Sequence, residues 1–556
     1  MSIRVALDNR GHTYGKEAYQ ILEVTFDRVL NQGGGFAMAF TEHPGHHAVA
    51  DPERSALVIA ETGESLGYGE LALRSARSAR LLAALGCLQD DTIALLSENN
   101  TTFLEICWAA KDSGLHYACV STHLNATDAA YIVENSDAKV LIASHDMADL
   151  AERVAALLTR PVRLLMFGGR PSPSFEPFDS LRDLQSTEPV GGRVRGASML
   201  YSSGTTGRPK GVRTPLQDVP PTVPPLRQKL LVDFFGFVPG MVFVNPGPFY
   251  HAAPLRMMMA VQRLGGTAIG FRRFDPEAVL RAIERYRATH AFFVPTMFAR
   301  MLRLSPYVRR RYDLSSMRCA IHGAAPCPVS VKEAMLEWWG PVIYELYGGT
   351  EGVGHAFISP QEWLRKKGSV GRPVHGCTVR IVDENGRSLP PNEPGLIYLS
   401  NGREFEYYKD EAKTAEARDA QGMVTLGDVG YLDEDGYLFL TDRHSHMIIS
   451  GGVNIYPQEA ENVLAGHPDI EDVAVIGVPD EEFGEAVKAV VVPARKDYEP
   501  QALAKDIVEW CRARLSPIKC PRTVDFVDSL PRSEAGKLLK RKIRAPYWEG
   551  RESRIV

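Results

Sequence analysis

Tyr201-Ser-Ser-Gly-Thr-Thr-Gly-Arg-Pro-Lys210-Gly211 crowds hydroxyls and glycines into a short run that includes one lysine. Glycines let backbone N–H groups approach a polyanion, hydroxyls add donors, and the lysine supplies a point positive charge. Such a loop suits the phosphates of a nucleotide. It is not a Walker A loop, because no Gly-Lys-Ser/Thr follows a four-residue spacer after the first glycine. Taken alone, its Gly and Ser content fits a solvated linker equally well. The flanking sequence decides between the two.

On both sides of the loop, apolar β-rich runs alternate with helical periods. Upstream, residues 56–60, 92–96, 140–143 and 164–167 read as strands, and 68–85, 102–113, 127–135 and 147–158 as helices. Downstream, 277–287 and 331–339 read as helices and 291–294 as a strand. Strands separated by crossover helices predict an α/β fold with parallel layers. Residues 214–226 hold five prolines and read as a loop. After about residue 375 the text changes to short strands with Asn-Gly, Glu-Pro-Gly and Asp-Gly turns, which predicts a β-rich subdomain. A last unit reads as helices at 458–464 and 502–515 with strands at 473–477 and 486–492. The expected organisation is a large domain over 1–441 and a small α+β domain over 442–556. Residues 12–29 read as a packed N-terminal helix.

A chain of 556 residues exceeds what one core organises, so several domains are expected. Its 44% hydrophobic and 24% charged content is that of an ordinary globular protein. A net charge of −5 argues against nucleic-acid binding, and Arg309-Arg310-Arg311 reads as solvated surface. Eight cysteines without a C-x-x-C pair point to reduced thiols. With no apolar signal core and no apolar run of about 20 residues, a cytoplasmic location without a membrane span is expected.

Further islands offer complementary chemistry. Tyr347-Gly348-Gly-Thr350-Glu351 presents an aromatic face for a base, a hydroxyl for a phosphate and a carboxylate for magnesium; alone, it is equally a glycine turn after a strand. Leu426-Gly-Asp428 places an acid where it can hold two ribose hydroxyls or simply sit solvated in a turn. Arg443 is open to the same ribose role or to a surface ion pair. Pro531-Arg-Ser-Glu-Ala-Gly-Lys537 is a turn delivering one lysine, a residue type that is usually solvated.

In this order, the islands resemble the adenylate-forming superfamily of acyl-CoA synthetases, luciferases and peptide-synthetase adenylation domains, over about residues 57–540. The nucleotide loop Y-x-S-G-T-T-G-x-P-K-G matches at Tyr201–Gly211, the adenine-side segment at Gly323-Ala324-Ala325-Pro326, and Y-G-x-T-E at Tyr347–Glu351. Lys366-Lys-Gly-Ser-Val-Gly-Arg-Pro373 and Tyr407-Tyr-Lys-Asp410 look like the acyl-CoA ligase branch. The resemblance assigns Ser202, Ser203, Gly204, Thr205, Thr206, Gly207 and Lys210 to the phosphates, and Asp428 and Arg443 to the ribose. Gly451 and Gly452, in Ser450-Gly-Gly-Val-Asn-Ile-Tyr-Pro457, fall on the loop that lines the pantetheine channel. Lys537 falls on the adenylation lysine, and Glu351 on the magnesium ligand. Implied are ATP, Mg²⁺ and coenzyme A, and two steps: a carboxylate attacks the α-phosphate of ATP, then a thiol displaces AMP. The small domain is expected to rotate between the steps.

The chain departs from the family at its junction, Asp442-Arg-His-Ser-His446, where Ser445 stands at a hinge position usually held by Asp or Lys. A serine is expected to absorb the rotation, with His444 and His446 as exposed junction histidines rather than a metal or pH switch. By resemblance the acid lies near Pro248-Phe-Tyr-His251 and Val294-Pro-Thr-Met-Phe298, with His251 either gating the carboxylate or packed. Met257-Met-Met259 and Phe292-Phe293 read as core. No ionic residue stands out at these positions, so an apolar acid is expected. Transfer to an amine or a carrier protein is the alternative to coenzyme A, an inactive scaffold is the remote one, and a homodimer is left open.

Overall fold

Capping chemistry sets the helix ends more sharply than apolar periodicity does. The Asn100 side chain accepts from the Phe103 amide at 3.0 Å, so the helix there runs Thr101–Asp112, one residue earlier than its apolar stripe indicates. Asp275 caps Ala278 at 2.7 Å ahead of a proline, starting Pro276–Tyr286. That helix stops at Arg287, which takes the left-handed φ of 52°.

The computed structural model describes residues 43–549 except 189, 191–193, 203–208, 375, 444–445, 451–452 and 533–537. The candidate N-terminal helix at 12–29 therefore lies outside the described residues. The described residues form three sheets. In the first, of eight strands, Thr92–Leu96, His116–Val120, Ala138–Ser144, Arg163–Phe167 and Ala197–Ser202 run parallel. Lys210–Arg213 and Glu406–Tyr407 extend it antiparallel.

The second sheet has thirteen strands. Ser55–Ile59, Thr267–Gly270, Val242–Asn245, His290–Phe293, Cys319–Gly323 and Ile343–Gly348 are its parallel half. The β-rich stretch read from turn residues is not a separate layer. Ser369–Pro373 pairs with Leu438–Arg443, so Thr378–Val382, Gly395–Ser400 and Val424–Leu432 continue the same sheet antiparallel. Helices seal the two sheets together. Trp108, buried on Thr101–Asp112, donates from Nε1 to Gln262 Oε1 at 2.7 Å on the helix Ala252–Arg263.

Residues beyond the junction build their own core. Ile448, Leu464, Val475, Val491 and Ile507 cluster on one face of a five-stranded sheet, and Ile476, Val490 and Ile543 on the other. Arg303 joins the two parts by an ion pair to Glu471 at 3.1 Å. All eight cysteines are free thiols, as their spacing leads one to expect. Among the described residues, no helix is long and apolar enough to cross a membrane. Parallel strands of the second sheet end at Asn245, Gly323 and Gly348, and ligands of open α/β sheets bind beyond such carboxyl ends.

Candidate active site

Gly323 ends its strand hard against the next one: a Cβ there would lie 2.5 Å from the Leu346 carbonyl oxygen. Ala324 then adopts φ 68°, a left-handed conformation that costs an L-residue about 1–2 kcal/mol. Ala324, Ala325, Tyr347, Gly348 and Asp428 line one cleft. Within it the Tyr347 hydroxyl donates to Asp428 Oδ2 at 2.8 Å, joining two islands 81 residues apart. Asp428 stands opposite Arg443 in the register of paired strands, which places the Arg443 backbone at the same edge.

Thr350 and Glu351 make the turn after the strand Ile343–Gly348. The Tyr407 hydroxyl donates to Glu351 Oε1 at 2.9 Å, and Lys210 Nζ lies 4.8 Å above the Tyr407 ring. Tyr407 thus links the lysine of the phosphate loop to the candidate metal ligand. Ser202 pairs with Lys210 across two strands. Ser203, Gly204, Thr205, Thr206 and Gly207 lie outside the described residues. Beneath the turn, Lys332 Nζ donates to Glu345 Oε2 at 2.6 Å; burial raises the Glu345 pKa, and the lysine opposes it.

His251 is the N-cap residue of Ala252–Arg263, with its ring edge-on to Tyr250 at 4.8 Å. Met257, Met258, Met259, Phe292 and Phe293 are buried, as read from the sequence. The small domain supplies the facing wall of the cleft with Asp442, Glu461, Arg532, Leu538 and Lys540. Arg532 and Leu538 form a bridge around the segment that carries Lys537, itself outside the described residues together with Gly451, Gly452, His444 and Ser445. The bracketing residues place that segment's two ends on the cleft that Tyr347 and Asp428 share.

The junction corrects one expectation. His446 is half-buried, and its Nδ1 lies 3.2 Å from Asp442 Oδ1. Asp442 also accepts from the Gln458 amide at 2.9 Å, and Lys540 pairs with Glu461 at 2.8 Å. Burial raises the Glu461 pKa, against the opposing pull of Lys540. A histidine beside a buried carboxylate has a partner to hold it, which a junction read from spacing alone does not reveal.

Three residues escaped the sequence reading: Arg227, Arg256 and Arg403. Arg256 Nε is buried with no hydrogen-bond partner. Among the described residues, none of the three guanidiniums has an ion pair. A signal was present. Residues three and four positions away from Arg256 and Arg227 are apolar or proline, so neither arginine has a helix-face acid to pair with.

Residues 42–408 match the AMP-binding enzyme family, and residues 459–537 match the AMP-binding enzyme C-terminal domain. A feruloyl-CoA synthase of an Amycolatopsis species is 34% identical over 499 residues, covering 88% of this chain and 96% of that protein. A fatty acid–[acyl-carrier-protein] ligase of Streptomyces coeruleorubidus is 30% identical over 90% of this chain and 95% of its own. The solved amide bond synthetase of Marinactinospora thermotolerans superposes with a TM-score of 0.77 at 28% identity, covering 91% of this chain and 99% of that one. With the family pattern spanning well over half its length, the chain belongs to the AMP-binding enzymes.

Proposed function

We propose that the chain activates a carboxylic acid with ATP and passes the acyl group to coenzyme A. The observation that carries this reading is the Tyr347–Asp428 pair on the cleft, with Gly323 and Ala324 beside it. An aromatic face and a carboxylate so joined suit a base and its ribose hydroxyls. Arg443 stands across from Asp428 and completes the ribose site. Ser202, the Ser203–Gly207 loop and Lys210 hold the phosphates.

Carboxylate and triphosphate repel, so charge must be neutralised while the attacking oxygen is held in line. Lys537 and the Thr350 hydroxyl meet the phosphates, and His251 stands on the carboxylate side. Glu351 fits a magnesium ion: one oxygen takes a single hydrogen bond from Tyr407, and the carboxylate has no ion pair among the described residues. An ion bound there would offset triphosphate charge. The acid oxygen attacks the α-phosphorus and pyrophosphate leaves. The thiol of coenzyme A, guided past Gly451 and Gly452, then attacks the acyl carbon; AMP departs and the thiol proton passes to solvent.

A second reading has its own support in the amide bond synthetase and carrier-protein ligase relatives: the same adenylate is passed to an amine or a carrier. The absence of an ionic residue in Pro248–His251 and Val294–Phe298 favours an acid with an apolar body, and the free thiols suit the cytoplasm. Pyrophosphate release is measured with ATP and Mg²⁺ across fatty, steroidal, aryl and heteroaryl acids, with and without coenzyme A. A thioester formed only with coenzyme A is expected. Adenylation that coenzyme A leaves unaccelerated moves the assignment to an amine or carrier acceptor.

A further inference from the structure

Buried charge crosses the junction between the two domains. Asp442 faces the cleft among small-domain residues, yet its backbone belongs to the thirteen-stranded sheet, where it stands opposite Val429. Three groups that follow it in the chain converge on its carboxylate. The Gln458 amide, in the first turn of the helix Pro457–Leu464, donates to Oδ2 at 2.9 Å. His446 Nδ1 lies 3.2 Å from Oδ1, and Lys540 Nζ lies 3.8 Å from Oδ2. Lys540 is shared, because the same ammonium stands 2.8 Å from Glu461 Oε1, an oxygen that also accepts from the Val475 amide at 2.7 Å. Asp442, Glu461 and Lys540 are all buried.

Lys540 also closes the frame around the segment that carries Lys537. Ahead of that segment, Arg532 donates to both oxygens of Asp472, from Nε at 2.9 Å and from Nη2 at 2.5 Å. Behind it, the Leu539 amide donates to the Pro531 carbonyl at 2.9 Å, and Lys540 opens the helix Lys540–Arg544. Arg532 is tied to the small-domain strand Ile470–Asp480, whereas Lys540 reaches across the junction to a strand of the large sheet. Arg303 and Glu471 also join the two parts, but both side chains are close to half exposed, where an ion pair contributes little.

Building on the ligase reading, we propose that Lys540 and Asp442 are positioning residues: their contact holds the small domain in the orientation that presents Lys537 to the nucleotide, and it opens for the coenzyme A step. Asp442 stays with the large sheet, so rotation about the junction carries Gln458 and Lys540 away from it. A buried ion pair suits a contact that has to open. Desolvation offsets most of its Coulomb gain, so it fixes geometry with little net stabilisation, and its partners regain water on parting. Apolar partners of the same size would expose their surface to water at every turnover. Glu461 travels with Lys540, so the ammonium keeps a counter-charge in either orientation.

The two half-reactions separate this role from a merely structural one. Pyrophosphate release with ATP and acid, and thiolysis of a supplied acyl-adenylate by coenzyme A, are measured for the wild type, Asp442→Asn, Lys540→Met and Lys540→Arg. Asp442→Asn keeps an oxygen for the Gln458 amide and leaves the Lys540–Glu461 pair in place, so it spares the fold. We expect it to lower kcat for pyrophosphate release about 10-fold, with the KM for ATP unmoved and thiolysis within about twofold of the wild type. Lys540→Met should lose at least as much, and Lys540→Arg should recover most of it. The double variant Asp442→Asn/Lys540→Met should cost no more than Lys540→Met alone. Equal loss of both half-reactions overturns the proposal, as does a loss confined to the KM for ATP or full additivity in the double variant. Should no acid release pyrophosphate from the wild type, the ligase reading fails by itself. The contact is then read without substrate. With Arg303→Cys and Glu471→Cys introduced, a bismaleimide links the domains in this orientation, and mass spectrometry follows the link. Asp442→Asn must slow that linking by about 3–10-fold, or the proposal falls.

Discussion

The cleft at Tyr347 and Asp428 and the region around Arg227 and Arg256 are built on opposite principles. At the nucleotide end, polar groups arrive already paired: Tyr347 with Asp428, and Tyr407 with Glu351. Away from the cleft lining, Arg256 and Arg227 are held below the usual arginine range by burial and by like charge, and Glu351 is the carboxylate that offsets Arg256. Pre-pairing sets the geometry at the end that handles one constant cosubstrate. Contiguous motifs supply the first region, and dispersed residues supply the second.

The comparison breaks most visibly at Lys537. On this account it serves adenylation alone, so Lys537→Ala lowers acid-dependent pyrophosphate release about 10²–10³-fold. Thiolysis of a supplied acyl-adenylate by coenzyme A stays largely intact. Equal loss of both half-reactions would remove domain alternation from the mechanism. A smaller effect is expected at the paired end. Asp428→Asn keeps the shape but removes the charge offered to the ribose, and should raise the KM for ATP about 10–100-fold while the KM for the acid holds. A change confined to the acid would overturn the assignment of Asp428 to the nucleotide.

The arginine-rich region has a pH signature at His355. His355 titrates near 6.5 when unfolded and near 4 when folded, through burial and then the guanidiniums. Between those values the unfolded chain binds the extra proton, so this contribution to stability is complete above pH 6.5 and is lost as pH falls towards 4. His355→Gln should therefore flatten the acid limb of a urea-unfolding profile, by at most about 1.4 kcal/mol per pH unit. His290, pushed to about 4 chiefly by burial, leaves a residual slope. An unchanged limb would separate His355 from the cationic field.

How far each end was legible in the sequence follows from the same contrast. Gly323-Ala324 and Tyr347-Gly348 sit at strand ends and Asp428 within the strand Val424–Leu432, in short motifs where residue type and chemistry are read together, and the structure gathers them on one cleft. Parallel strands were legible because apolar runs and helical periods are local signals. The joining of the β-rich stretch to the large sheet was not, since Ser369–Pro373 meets Leu438–Arg443 through backbone pairing that leaves no mark on composition. Tyr407 was quoted only as part of a motif, and its bond to Glu351 spans 56 residues. The arginines were hardest to see. Each comes from a different element, and only tertiary packing reveals that Arg227 and Arg256 act on one another.

The smallest effect tests whether the nucleotide end holds strain for its geometry. Ala324 keeps φ 68°, a region where glycine has no Cβ penalty. Ala324→Gly removes roughly 1 kcal/mol of native strain, but glycine also loses more freedom on folding, by about 0.5–1 kcal/mol. The two terms nearly cancel, so the unfolding midpoint should hardly move. Binding answers differently. If the methyl group holds the turn in its left-handed form only because Gly323 and Leu346 enforce it, the glycine variant relaxes the adenine-side wall and raises the KM for ATP by a small factor, leaving the KM for the acid untouched. A clear rise in stability without any change in ATP binding would show the strain to be incidental, and the paired end would then rest on Tyr347 and Asp428 alone.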